Sequence, residues 1–169
     1  MLVSIRSITP EPLLWVQPRL IRREFELRAG RDVVATLAWR GFVGWSARGE
    51  TAEGRYRFRV RNPFFGDVVV HPGDSDSETA VWKPRMFGAG TVRFPGGRTF
   101  RLHPAHFWNR RGFVEDETGA TLFLLLLRFR WLRLEASVEL EPGAERVAEL
   151  PVLLLLAWYA RLLARGRRG

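Results

Sequence analysis

Cysteine is absent from this chain of 169 residues, and lysine occurs only once, at Lys83. Without cysteine, the protein has no disulfide framework, no thiolate metal site and no cysteine nucleophile. The sequence also lacks GxSxG, GxxxxGKS/T and GxGxxG, the motifs of nucleophile elbows, phosphate-binding loops and dinucleotide-binding folds. We therefore expect a protein that is not an enzyme and that uses no cofactor and no metal.

A secretory signal is not visible at the N-terminus. The first twenty residues contain no apolar run of seven, and Pro10, Pro12 and Pro18 interrupt them. The same prolines exclude a helix, so residues 1–19 are predicted to be an irregular lead-in to a single domain over residues 20–169. We expect a cytoplasmic protein, at most peripheral to the inner face of a membrane.

Basic residues are abundant, and all but one of them are arginine. The chain has 27 basic and 18 acidic residues, which gives a formal net charge of +9. A basic surface favours anionic partners such as nucleic acid, anionic lipid or a phosphorylated ligand, but it does not select among them. An excess of arginine over lysine this large indicates a GC-rich genome before it indicates a function, so charge alone does not assign one.

Alternation of apolar and polar residues recurs along most of the chain and predicts an all-β protein. A polar loop is expected at residues 48–54, a short strand between Gly41 and Trp45, and a turn or bulge at 128–131, where the apolar parity breaks. The total is about eleven or twelve strands, which indicates a sandwich or a barrel. The clearest predicted strands cover residues 24–28, 33–39, 55–61, 67–71, 79–83, 91–94, 98–102, 112–115, 121–127 and 132–140.

The C-terminal segment differs from everything before it, because residues 150–160 are apolar and uncharged. Two interpretations are open: a helix buried in a protein core, or a tail anchor with the terminal arginines at a membrane interface. The segment is shorter than the roughly 20 residues that span a bilayer. A closed barrel of about twelve strands has a lumen wide enough for one helix. We therefore predict a closed antiparallel β-barrel of about twelve strands around a hydrophobic helix at about 150–165.

Three segments resemble the superfamily of tubby-like proteins, phospholipid scramblases and LURP-one-related proteins. They are the hairpin REFELRAGRDVVATL at residues 23–37, the strand–turn–strand unit FVEDETGATL at 113–122 and the terminal LPVLLLLAWYARLL at 150–163. The resemblance covers about residues 20–165 and implies a twelve-stranded barrel around a C-terminal helix. It also implies phosphoinositide binding by basic side chains, as in tubby-like members, or a membrane association like that of scramblases. The cysteine that scramblases acylate is missing here.

Four arginines at alternate positions form the candidate ligand-binding site. Arg55, Arg57, Arg59 and Arg61 interleave with apolar residues, so they are expected on one strand face about 7 Å apart. Arginine forms bidentate hydrogen bonds with phosphate, and such a stripe can engage several phosphates. The alternative is a solvated outer face on which charge discourages pairing of sheet edges.

Other polar groups have simpler explanations. The acidic loop at residues 74–78 starts like a calcium loop, but it lacks the glycine at its sixth position and has Arg85 at its twelfth, so a flexible hairpin loop is favoured. His103 and His106 have a metal-ligand spacing without a helix to carry it. The carboxylates at 115–117 are expected at a hairpin tip rather than in acid–base catalysis.

The seven tryptophans suit a barrel core better than base stacking, and only residues 108–111, Trp-Asn-Arg-Arg, look like an exposed aromatic and basic cluster. The sequence thus predicts a non-catalytic barrel that docks at anionic lipid or another phosphorylated ligand. The alternatives are a tail-anchored membrane protein with a cytosolic β-domain and, least favoured, a nucleic-acid-binding module.

Overall fold

Twelve β-strands form one closed barrel in the computed structural model, which describes the chain except residues 9–10, 41–44, 63–65, 86–88, 107, 131 and 167–169. Each strand is antiparallel to both of its neighbours, strand order follows the sequence, and β1 pairs with β12 to close the barrel. The strands are β1 (Leu13–Val16), β2 (Glu24–Ala29), β3 (Asp32–Arg40), β4 (Ser46–Thr51), β5 (Gly54–Val60), β6 (Val68–Pro72), β7 (Ala80–Pro84), β8 (Gly90–Arg93), β9 (Thr99–His103), β10 (Arg111–Glu115), β11 (Thr121–Arg130) and β12 (Arg133–Leu140).

The C-terminal helix α1 (Leu150–Gly166) is the core of this barrel. Every side chain from residue 150 to residue 161 is buried. Trp158 stacks on Trp15 of β1 with ring centroids 5.4 Å apart, and Tyr159 stacks on Trp39 of β3 at 5.2 Å and on Phe58 of β5 at 5.3 Å. Strands on different sides of the helix therefore contact it, as the sequence predicts. Among the described helices, none combines the length and the apolar character needed to cross a bilayer.

Strand β4 corrects the prediction of a loop at residues 48–54. Ala47, Gly49 and Thr51 point into the barrel, while Arg48 and Glu50 point outward. A Cβ atom on Gly49 would lie 2.8 Å from a methyl carbon of Leu155, so glycine gives the helix room at this position. Small inward residues conceal the alternation on which strand prediction depends.

The N-terminal lead-in prediction is also wrong for part of its range, because Leu13–Val16 is strand β1. Leu13 pairs with Val138 of β12 and with Ala29 of β2, so this strand closes the barrel. The prolines at positions 12 and 18 flank the strand, where proline removes no ladder hydrogen bond. The short strand predicted between Gly41 and Trp45 falls largely outside the described residues.

The turn or bulge predicted at residues 128–131 corresponds to the hairpin turn between β11 and β12. Strand β11 continues to Arg130, strand β12 starts at Arg133, and these two residues are directly paired. Leu132, between them, has a φ of +62°, in the left-handed region that non-glycine residues seldom adopt. After β12, a 3₁₀ turn (Ala144–Arg146) leads the chain to the barrel mouth, where α1 begins with Pro151 in its first turn.

Candidate anion-binding site

The predicted arginine stripe lies on the outer wall of the barrel. Tyr56, Phe58 and Val60 of β5 point toward α1, so the alternating arginines point away from it. The four do not act alike, because neighbouring strands and loops give three of them partners. The fold therefore brings them to one face but leaves them in different electrostatic environments.

Arg55 and Arg61, at the two ends of the stripe, are each paired with a carboxylate. Arg55 Nε lies 3.3 Å from an oxygen of Glu50, and both side chains are largely exposed. Arg61 forms an ion pair with Glu78, in the loop between β6 and β7. These two cations are already partly neutralised, so they are the weaker half of the predicted site.

Arg57 is held by the same loop. Its Nε donates to the carbonyl of Gly73 at 2.7 Å, its Nη2 donates to the carbonyl of Ser75 at 2.7 Å, and Nη2 lies 3.6 Å from Asp76. The acidic loop predicted to be flexible therefore folds back over the arginine stripe. His71 completes the contact, since its Nδ1 lies 2.9 Å from the carbonyl oxygen of Ser77.

Arg59 differs from the other three. It is exposed, and within the described part of the chain no hydrogen bond or ion pair engages its guanidinium group. Beside it lies a cavity of about 220 Å³ in the outer wall. The polar side chains that line this cavity are Arg40, Ser46, Arg48, Arg57, Arg59, His71 and Asp76.

Strand register explains why so many cations meet there. Arg48 of β4 is directly opposite Arg57 of β5, and Arg57 is directly opposite His71 of β6. Opposed side chains have Cβ atoms about 4.5–5.5 Å apart, and like charges in such pairs repel. Four arginines face one carboxylate, Asp76, in this cavity. An anion bound between them would relieve the repulsion.

Sequence reasoning missed Arg40, Arg48 and His71 as members of the site. The sequence predicts a loop at residues 48–54, which includes Arg48, and gives His71 no role. Cross-strand register, not spacing along the chain, brings them beside Arg57 and Arg59. The alternation within β5 was the one signal that a single sequence could offer.

The remaining candidates serve local structure. His103 stacks on Phe113 at 4.2 Å and lies 3.3 Å from Glu115, while His106 stacks on Trp108 at 4.7 Å. Among the described residues, no group of three or more histidine or acidic side chains could hold a metal ion. His103 and His106 therefore contact different aromatic rings.

Two side chains outside this cavity have shifted pKa values. Burial raises the pKa of Tyr56 above its ordinary 10.0. Asp116, at the tip between β10 and β11, accepts hydrogen bonds from the Thr118 hydroxyl at 2.6 Å and from the Ala120 amide at 3.0 Å. The hydrogen bond with Thr118 is the main cause that lowers the Asp116 pKa. Asp116 thus stabilises the predicted hairpin tip.

Comparison with known proteins shows the fold. No protein-family model matches the chain, and no curated protein matches its sequence. Among solved structures, the chain is similar to a protein from Arabidopsis thaliana, determined by X-ray crystallography, with a TM-score of 0.55. The match covers 92% of this chain and 96% of the Arabidopsis chain at 14% sequence identity. At that identity the similarity shows a shared architecture and assigns no activity.

Proposed function

We infer that this protein is a non-catalytic, tubby-like barrel that binds a phosphate-bearing anionic ligand on the outer wall formed by β3–β6. The closed barrel around its terminal helix supports the resemblance to the superfamily of tubby-like, scramblase and LURP-one-related proteins. The resemblance implies phosphoinositide binding in tubby-like members, and it makes an anionic lipid headgroup the first ligand to test.

The observation that carries this proposal is the cavity in which four arginines face one carboxylate. Its volume of about 220 Å³ is below the roughly 300–1,000 Å³ of pockets for drug-sized molecules. It suits a phosphate group or a small headgroup better than a large apolar ligand. Arg59 contributes a guanidinium group whose hydrogen-bond donors are available to such an anion.

The alternatives have less support. A tail anchor needs the apolar segment in lipid, whereas the described helix has residues 150–161 buried in the barrel. A platform for nucleic-acid bases needs a row of exposed aromatic rings, and Trp108 and Phe129 are the exposed large aromatic side chains in the described part of the chain. A tail anchor also does not explain why cations converge at one cavity on the wall.

The test compares Arg59→Glu with Arg93→Glu. Arg93 is an exposed arginine on β8, in the same cross-strand row and three strands further around the barrel. Both variants change the net charge equally, but only the first removes a donor from the cavity. Charge-assisted hydrogen bonds contribute about 1.5–3 kcal/mol, so Arg59→Glu should weaken binding about tenfold or more.

Two ligands separate the possible sources of phosphate. Calorimetric titration with inorganic phosphate tests the cavity itself, and co-sedimentation with phosphatidylglycerol vesicles tests the lipid. Binding should fall as salt rises, and vesicles of phosphatidylcholine alone should not bind. Equal losses in Arg59→Glu and Arg93→Glu would show a diffuse charge effect and would overturn the site. Absence of binding to both ligands at low salt would overturn the function.

A further inference from the structure

The two ends of the barrel differ in chemistry. Because the strands alternate in direction, the odd-numbered strands all finish at one end, which is also where α1 finishes. The connections at this end contain six arginines and one acidic residue, Asp67. The connections at the other end contain nine acidic residues and three arginines. We name them the arginine end and the acidic end.

Large exposed apolar side chains also gather at the arginine end. Ile21 is 97% exposed and Leu132 is 96% exposed, in the β1–β2 and β11–β12 connections. Leu20, Trp108 and Phe129 are partly exposed at the same end. Apart from Met1, these five are the large exposed apolar residues of the described chain. Such clustering of apolar side chains on a protein surface marks an interaction site.

Among these exposed apolar residues, Leu132 gives the clearest indication of an interaction site. Its φ of +62° is a conformation that glycine or asparagine normally supplies in a tight hairpin turn. Leucine there is conformationally unfavourable, and its exposed side chain gains no burial in return. Backbone strain at a position whose side chain is almost fully exposed points to a contact made outside the protein.

A cavity of about 400 Å³ opens beside Leu132. Phe129 and Leu132 supply apolar walls, while Arg133, Arg161 and Arg165 supply cations. Arg161 is only 5% exposed, so one of these charges lies deep beside apolar side chains. Cations next to apolar surface match a molecule that joins an anionic group to a hydrocarbon chain.

We propose that the barrel docks end-on against an anionic bilayer, with Leu132 and Ile21 inserted among the lipids and the arginines at the headgroups. Charge complementarity selects this partner, because a second copy meeting the same end would bring arginine against arginine. The acidic end then faces away from the negative surface. This inference depends on the proposed function for its ligand class, but it uses different residues from the wall cavity.

The test moves one exposed leucine from the arginine end of the barrel to the acidic end. Leu132→Gly keeps a residue suited to positive φ and removes the apolar tip. Gly119, at the acidic end between β10 and β11, has a φ of +84° and open space around its Cβ direction. Gly119→Leu therefore builds the same exposed, strained leucine at the opposite end. The double variant has the composition and charge of the natural protein.

Co-sedimentation of the full chain with phosphatidylglycerol-containing vesicles gives the readout. Burying a leucine in an apolar environment predicts about a tenfold loss of vesicle affinity for Leu132→Gly and for the double variant. Gly119→Leu alone should bind as the natural protein does. Unchanged binding in Leu132→Gly, or recovery in the double variant, would overturn end-on docking.

Two further measurements distinguish failure of the docking proposal from failure of the proposed wall site. If Leu132→Gly alters only the sedimentation of protein without vesicles, the arginine end is a self-association surface and the docking proposal is wrong. If Leu132→Gly binds vesicles normally while Arg59→Glu does not, docking fails and the wall cavity stands. Titration with inorganic phosphate should give the same affinity for Leu132→Gly and the natural protein, because the wall cavity contains neither Leu132 nor Gly119.

Discussion

Packing between Gly49 and Leu155 offers a direct energetic test of a helix inside the barrel. A Cβ atom on Gly49 would lie 2.8 Å from Leu155 Cδ1 and 2.9 Å from Phe58 Cε2. Carbon atoms pack at about 3.5–4.0 Å, so Gly49→Ala forces a displacement of roughly 0.7 Å or more. Overpacking of this kind costs about 1–3 kcal/mol, which the lower entropy of the unfolded alanine chain offsets by about 0.4–1 kcal/mol.

The second arm removes the side chain on the helix. Leu155 is fully buried, so Leu155→Ala should lower the free energy of unfolding by about 2–5 kcal/mol. In the double variant the added methyl group no longer meets the leucine Cδ atoms, and it fills part of the cavity. We therefore expect the double variant to be more stable than the sum of the single changes predicts, by about 1–2 kcal/mol.

Urea denaturation, followed by tryptophan fluorescence and by circular dichroism, measures all four corners of this cycle. Gly96→Ala is the control, because a Cβ at Gly96 has no neighbour within 4 Å. Its effect should add to that of Leu155→Ala. Additivity within about 0.5 kcal/mol for Gly49 and Leu155 as well would refute contact between helix and wall.

Three more predictions follow from single positions. Leu132→Gly should raise the free energy of unfolding by about 0.5–1 kcal/mol in urea titrations, because it removes left-handed strain; a clear loss would mean that the exposed leucine stabilises the fold. Replacing Asp76 with Asn and Glu78 with Gln frees cations of the wall, so phosphate binding measured by calorimetry should tighten; weaker binding would show that the loop builds the site. Because burial raises the pKa of Tyr56, its contribution to stability is complete below pH 10.0 and is lost as the pH rises through the folded-state pKa. Tyr56→Phe should remove part of the stability decrease seen above pH 10, and identical pH profiles would contradict that assignment.

The barrel could be predicted from the sequence because most strands alternate regularly and the last segment is apolar on every face. The pattern of β12, with Leu134, Ala136 and Val138 inward, is readable without a structure. A wholly apolar helix must be buried on all sides, so few folds are compatible with the C-terminal segment. Strand count and helix burial then pointed to the same architecture.

Features that depend on which strands pair could not be predicted from the sequence. Strand β4 was not predicted because Gly49 interrupts its apolar pattern. Glycine is needed there to leave room for Leu155 of the helix, and this contact between distant residues is not visible in the sequence. The wall cavity combines Arg48, Arg57 and His71 through register between three strands. Likewise, the sequence predicts a flexible hairpin loop at residues 74–78, and the contacts of this loop with Arg57 form only after the chain folds back on itself.

Hydrogen–deuterium exchange of the full chain, with and without phosphatidylglycerol vesicles, tests most directly whether a basic barrel binds an anionic membrane by its arginine end. Slower exchange should appear in peptides that cover residues 17–23, 104–110 and 128–133. Peptides that cover residues 116–120 and 141–146, at the acidic end, should exchange as they do in solution. Protection at the acidic end, or no change anywhere at low salt, would contradict membrane docking by the arginine end.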